Sequence, residues 1–167
     1  MKKLIFTSFV AALSMACFAA SATGKWNGKI TMDLSGIKKM IQQKTGKVTP
    51  EQKKQVDMQM TMIDANEKAF AKAIVTMELK KDGTVSISQS MNGKTEEDKG
   101  KWIQAGNKVK MFGFSAVNGG PKEMNGVLGS TGKTLFFDLS DEMKKQAIKK
   151  GAPATFSGKM AINFTKA

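Results

Sequence analysis

The stretch Ala73-Ile74-Val75-Thr76-Met77-Glu78-Leu79-Lys80-Lys81-Asp82-Gly83-Thr84-Val85-Ser86-Ile87-Ser88-Gln89-Ser90-Met91 decides how this chain folds. Val75, Met77 and Leu79 alternate with Thr76, Glu78 and Lys80, and Val85 and Ile87 alternate with Ser86 and Ser88. A period of two sends successive side chains to opposite faces of a strand, so each arm has one apolar face. Between the arms stands Asp82-Gly83, a pair suited to a type I′ turn, in which both central residues need positive φ. The stretch predicts a hairpin, and a lone hairpin is too small to bury its apolar side.

The flanking sequence supplies the missing strands. Lys99 to Gln104 is joined through Ala105-Gly106-Asn107 to Lys108 to Phe114, with Trp102, Val109 and Met111 pointing inward. Lys122 to Leu128 turns at Ser130-Thr131-Gly132 and returns as Lys133 to Leu139, carrying Phe137. Gly24 to Met32 opens the set with Trp26, Ile30 and Met32, and Ala154 to Thr165 closes it with Phe156, Met160, Ile162 and Phe164 on one side. Eight strands, each apolar on one face, predict a mainly β chain: an antiparallel up-and-down eight-strand barrel. Glu96-Glu97-Asp98 reads as a polar connector between two of these strands.

Helical signals interrupt the alternation in two places. Leu34 to Lys44 carries Leu34, Ile37, Met40 and Ile41 on one stripe. Thr49-Pro50-Glu51-Gln52 is a helix start, with a Thr cap, Pro at the first helical position and Gln three residues after the cap. That helix should run to about Asn66, although Val56, Met58, Met60 and Met62 also fit a strand. A helical insert over about 34–66 thus follows the first strand, placed to close one mouth of the barrel and exposing Lys38, Lys39, Lys53 and Lys54. Ser140 begins a short helix before the last strand, ending near Gly151 and Pro153.

The amino-terminal segment reads as a targeting signal. Met1-Lys2-Lys3 is a basic start, Leu4 to Phe18 is uncharged and apolar, and Ala20-Ser21-Ala22 is a small-x-small cleavage triplet. The apolar run is shorter than the ~20 residues a membrane-spanning helix needs. The expected division is a signal peptide over 1–22 and one barrel domain over 23–167, exported to the periplasm or secreted. The minor alternative is a lipoprotein anchored through Cys17.

Composition narrows the chemistry. The chain has 167 residues and a formal net charge of +13, with 27 basic residues that are all Lys, no His, no Tyr and only Cys17 as cysteine. No nucleophile–imidazole pair and no imidazole metal ligand can be built. A domain without cysteine must hold together by packing. The expectation is a protein that is not an enzyme, uses no cofactor, binds no nucleic acid and has no transmembrane segment after the leader.

Gly24-Lys25-Trp26, at the head of the first strand, resembles the Gly-x-Trp signature of the lipocalins. Gly100-Lys101-Trp102 repeats the tripeptide, and with Asp82-Gly83-Thr84-Val85 and Gly106-Asn107-Lys108-Val109 it is similar to small bacterial lipocalin-like domains. The resemblance implies a barrel whose signature Trp packs across a closed end. The family's Thr-Asp-Tyr motif and the Arg that stacks on this Trp are absent.

Three functions suit such a chain. The first is binding of a small hydrophobic or amphipathic ligand by the barrel interior, lined by Trp26, Ile30, Met77, Ile87, Trp102, Met111, Phe137, Met160 and Ile162. The alternative is a cell-envelope interaction or structural protein whose barrel is solidly packed by these residues and holds no ligand, since aromatics on alternating strands are usually core. The second is Cu(I) binding by the thioethers of Met58, Met60 and Met62, in a chain with 13 Met. The third is contact with an anionic envelope surface through lysine pairs such as Lys80-Lys81 and Lys144-Lys145.

Overall fold

The computed structural model describes residues 20–43, 49–115, 122–149 and 157–167. In chain order the elements are β1 (Gly24–Asp33), α1 (Ser35–Gln43), α2 (Pro50–Ala71), β2 (Ile74–Leu79), β3 (Thr84–Met91), β4 (Lys94–Ala105), β5 (Lys108–Phe112), β6 (Glu123–Leu128), β7 (Thr134–Asp138), α3 (Ser140–Lys149) and β8 (Lys159–Lys166). The strands form a closed antiparallel barrel in sequence order, with β8 returning to β1. Eight residue pairs, from Trp26↔Lys166 to Asp33↔Lys159, seal that seam. The fold class read from the sequence is thus the one observed, with the helical insert after β1 and the short helix before β8. No helix among the described residues is long and apolar enough to cross a membrane. The leader up to Ala19, and the expected helix end at Gly151 with the strand start and Phe156, lie outside the described residues.

Alternation explains the core. Val75, Met77 and Leu79 of β2 are buried while Ile74 and Thr76 are exposed. The pattern repeats on β6 (Met124, Gly126, Leu128) and β7 (Leu135, Phe137), so a single interior collects one face of every strand. Two glycines make room for large rings there. A methyl group on Gly126 would stand 2.5 Å from the Phe137 ring, and one on Gly28 would stand 2.5 Å from the Phe164 ring. Phe137 and Phe164 then meet edge to face, with centroids 5.9 Å apart.

Two turns differ from the sequence reading. Between β2 and β3 only Gly83 has positive φ, at 80°, so the turn is not type I′. Lys81-Asp82-Gly83 is a three-residue loop, closed by Gly83 N donating to Lys80 O. Asp82 Oδ1 accepts from Thr84 N and Thr84 Oγ1, which holds Asp82 in an ordinary conformation. The two-residue turn with positive φ at both positions is Asn92-Gly93, at 52° and 76°, between Met91 and Lys94. Glu96, Glu97 and Asp98 are therefore strand residues of β4, paired with Gln89, Ser88 and Ile87, and not a connector. Strand β5 is shorter than expected, because Gly113 at φ 78° breaks the alternation and turns Phe114 into the core beside Gly100.

The ambiguous Met-rich segment is helix, and it extends to Ala71. Thr49 and Gln52 form the reciprocal capping box expected from the sequence. The half-buried residues Val56, Met60, Ile63, Glu67 and Phe70 recur at steps of four and three, which is one face of a helix. Met58 and Met62 lie off that stripe and are exposed. Helix α2 docks on β1, and its last turn brings Phe70 against the barrel core. The expected exposure of Lys38 is corrected. It is half-buried, its ammonium paired with Asp64 at 2.7 Å and with Glu67, because it ties α1 to α2.

Candidate functional site

The two ends of the barrel differ. At the end where β1 begins, Ala20 to Thr23 lies across the mouth. Ala22 is fully buried, and its backbone N–H donates to Gln104 Oε1 at 2.9 Å. Gln104 Nε2 donates to Ala20 O at 2.7 Å. Trp26, 1% exposed, donates its indole N–H to Ala22 O at 2.8 Å. Lys166 Nζ donates to Ser21 O at 3.1 Å and stands 5.4 Å from the centroid of the Trp26 ring. This end is closed by polar bonds to backbone and by a ring roofed with a cation.

Of the interior residues expected to line a ligand site, Trp26, Ile30, Met77, Met111, Phe137 and Ile162 are buried members of one apolar cluster. Ile87 and Met160 are half-buried and pack against that cluster nearer the helical end. Trp102, also half-buried, belongs to the closed end, where its indole N–H donates to Lys80 O at 2.9 Å across the β2–β3 turn. All nine candidates thus belong to one contiguous interior cluster or pack against it, at different heights along the barrel.

The helical end carries a groove of about 310 Å³, bounded by β1, β7, β8 and the start of α3. Thr31, Asp33, Phe136 and Asp138 are on the outward phase of their strands, so the groove opens on the outer wall at this end. The exposed Phe136 ring is its apolar side, Met32 and Met160 border it, and Asp33, Asp138 and Lys159 give it charge. Two copies of one local motif shape it. In Asp33-Leu34-Ser35 and in Asp138-Leu139-Ser140 a strand ends at Asp, a buried Leu turns inward, and a helix starts at Ser. Each carboxylate accepts the backbone N–H of its Ser at 2.9 Å. Those bonds, with the nearby Lys159 charge, hold both carboxyls below the usual carboxylate range: the Ser35 backbone bond leads at Asp33, and the bond with the Ser140 hydroxyl leads at Asp138. Both are anionic at neutral pH, so the groove sets charged groups beside the exposed Phe136 ring. It can hold a small amphipathic molecule by burying its apolar part and solvating its polar part.

Other candidate residues fall elsewhere. Met58 and Met62 are four residues apart on the outer face of α2, while Met60 is on the inner stripe, so the three sulfurs do not converge. Glu96, Glu97 and Asp98 alternate across β4 and cannot share a ligand or a proton as a trio. Asp98 is instead engaged by Ser115, whose hydroxyl donates at 3.0 Å. Lys80, Lys81, Lys144 and Lys145 are exposed, as the lysine-pair reading needs.

Sequence reasoning missed Gln104, Lys166 and the groove. The repeated Asp-Leu-Ser tripeptide was the available signal for the groove, since it marks two strand-to-helix junctions. Gln104 and Lys166 carried no local signal, because their partners lie far away in sequence. In comparisons with known proteins, no family model, no curated protein and no solved structure matches this chain.

Proposed function

We propose that this chain is a non-catalytic, exported, lipocalin-like binding protein that takes a small hydrophobic or amphipathic molecule at the helical end of its barrel. The carrying observation is the 310 Å³ groove bordered by Met32, Phe136 and Met160 where β1, β7, β8 and the start of α3 meet. Its volume is at the low end of the range for small-molecule sites, which suits one short apolar chain or a single ring system. Methionines suit a site of this kind, because their unbranched thioethers adapt to varied shapes.

The lipocalin-like reading is supported by Gly24-Lys25-Trp26 heading β1, with the Trp packed across the closed end. The Lys166 ammonium stands over this ring, where the resemblance assigns an Arg. Export is supported by the basic start and the uncharged apolar run behind it at the amino terminus. The non-catalytic reading follows from composition, with neither His nor Arg present.

Titration of the exported protein with an environment-sensitive apolar fluorophore tests the reading. Saturable enhancement at one equivalent is expected, weakened about tenfold by Phe136→Ser, which removes an exposed ring worth roughly 1.4 kcal/mol of contact. Absence of saturable uptake, or uptake untouched by Phe136→Ser, would overturn it.

A further inference from the structure

We infer that the mature protein keeps Ala20, Ser21 and Ala22, its leader being removed upstream of Ala20 and not after Ala22. This rests on the export reading and refines where processing occurs. The Ala20-Ser21-Ala22 triplet has the composition of a cleavage site, yet in the folded chain it is structural. It touches four separate parts of the barrel. The Ala20 methyl rests on Gly132 in the β6–β7 turn, at a spot where any side chain on Gly132 would collide with it. Gln104 of β4 grips Ala20 O and Ala22 N with the two ends of one amide. Lys166 of β8 holds Ser21 O, and Trp26 of β1 holds Ala22 O.

Cutting after Ala22 would remove all of these partners together. The Trp26 indole N–H, on a side chain 1% exposed, would lose its acceptor, and Gln104 would keep only Gly106 O. A buried donor left without a partner costs more than a typical bond gains. The space of the fully buried Ala22 would also open beneath the barrel floor. Cutting after Ala19 preserves every contact, and Cys17-Phe18-Ala19 offers small residues one and three places before that bond. Sequence alone favours the downstream triplet, whereas packing favours the upstream one.

The full chain with its leader should be expressed in a bacterial host and the exported product read by intact mass and amino-terminal sequencing. A product beginning at Ala20, or at any residue before it after removal of part of the leader, is expected. A product beginning at Ser21, Ala22 or Thr23 would overturn the inference while leaving export standing. An uncut chain retained in the cytoplasm would overturn both. A second reading comes from Gln104→Ala in the same exported protein. If the segment is present, its melting temperature should fall by several degrees, and the Trp emission should shift to the red as water reaches Trp26. An unchanged melting curve and emission would mean that the amide grips nothing in the mature form, which contradicts retention.

Discussion

Lys166, the last residue of β8, holds its ammonium 5.4 Å from the centroid of the Trp26 ring at the head of β1 while donating to Ser21 O. The pair closes the barrel twice over, since Trp26 and Lys166 are also partners in the β1–β8 register. Lys166→Ala should lower stability by about 0.5–1 kcal/mol, the range for an exposed cation on an aromatic face. Lys166→Arg should retain most of it, because a guanidinium stacks on an indole at least as well. Urea unfolding followed by Trp emission checks both.

Gly126 matters because a ring occupies the place of its side chain. Gly126→Ala should cost about 1–3 kcal/mol through overpacking against Phe137. Adding Phe137→Leu to Gly126→Ala should recover part of that loss, whereas Phe137→Leu alone destabilises. A double-mutant cycle in urea would report this coupling, and additive effects would count against the ring-on-glycine arrangement.

Gly93 tests the corrected turn. It has a φ of 76° with nothing within 4 Å of where a Cβ would stand, so Gly93→Ala isolates the backbone cost. A loss of about 1–2 kcal/mol is expected for a non-glycine residue in the left-handed region. Asn92→Ala should cost less than a wholesale loss of the hairpin, since Gly93 still permits the turn. Thermal melts of the two variants suffice.

One cluster contributes to both the acid and the alkaline limits of stability. Asp64 and Glu67 are held below the usual carboxylate range chiefly by hydrogen bonds from Lys38, with the Leu34 backbone N–H also bonding Glu67. Lys38 is held above its ordinary value chiefly by its bond to Asp64 and then to Glu67. Depressed carboxyls contribute stability above their unfolded pKa and lose it as the pH falls through the folded value, which places the loss below about pH 4. A raised lysine contributes stability below its unfolded pKa and loses it as the pH rises through the folded value, above about pH 10. The melting temperature should be level between these limits and fall at both. Lys38→Met should remove most of the alkaline fall that this cluster causes, and salt should weaken the effect because the groups are solvated.

Period-two alternation carried the architecture. It appears in β1, β2, β6 and β7 as buried residues at every second position, so strand number and inward faces were legible. The start of α2 was equally legible, because a capping box is local. Two kinds of feature were not. Turn type at Asp82-Gly83 depended on side-chain bonds to Thr84, and the Asn92-Gly93 turn was hidden by the acidic run after it, which looks like loop yet pairs along β3. The closed end was invisible for a different reason: Gln104 meets Ala22 from 82 residues away, and Lys166 meets Ser21 from 145 away. Of the nine residues expected to line a ligand site, Met160 is the one that borders the groove.

Methionine methyl NMR offers the most direct test, because these residues mark the barrel at several depths. Met32 and Met160 border the groove, whereas Met77 and Met111 are buried in the core cluster. On titration with a short-chain amphiphile, the methyl signals of Met32 and Met160 should shift progressively to saturation while those of Met77 and Met111 hold still. Unmoved methyls throughout, or shifts confined to Met77 and Met111, would contradict binding at the helical end.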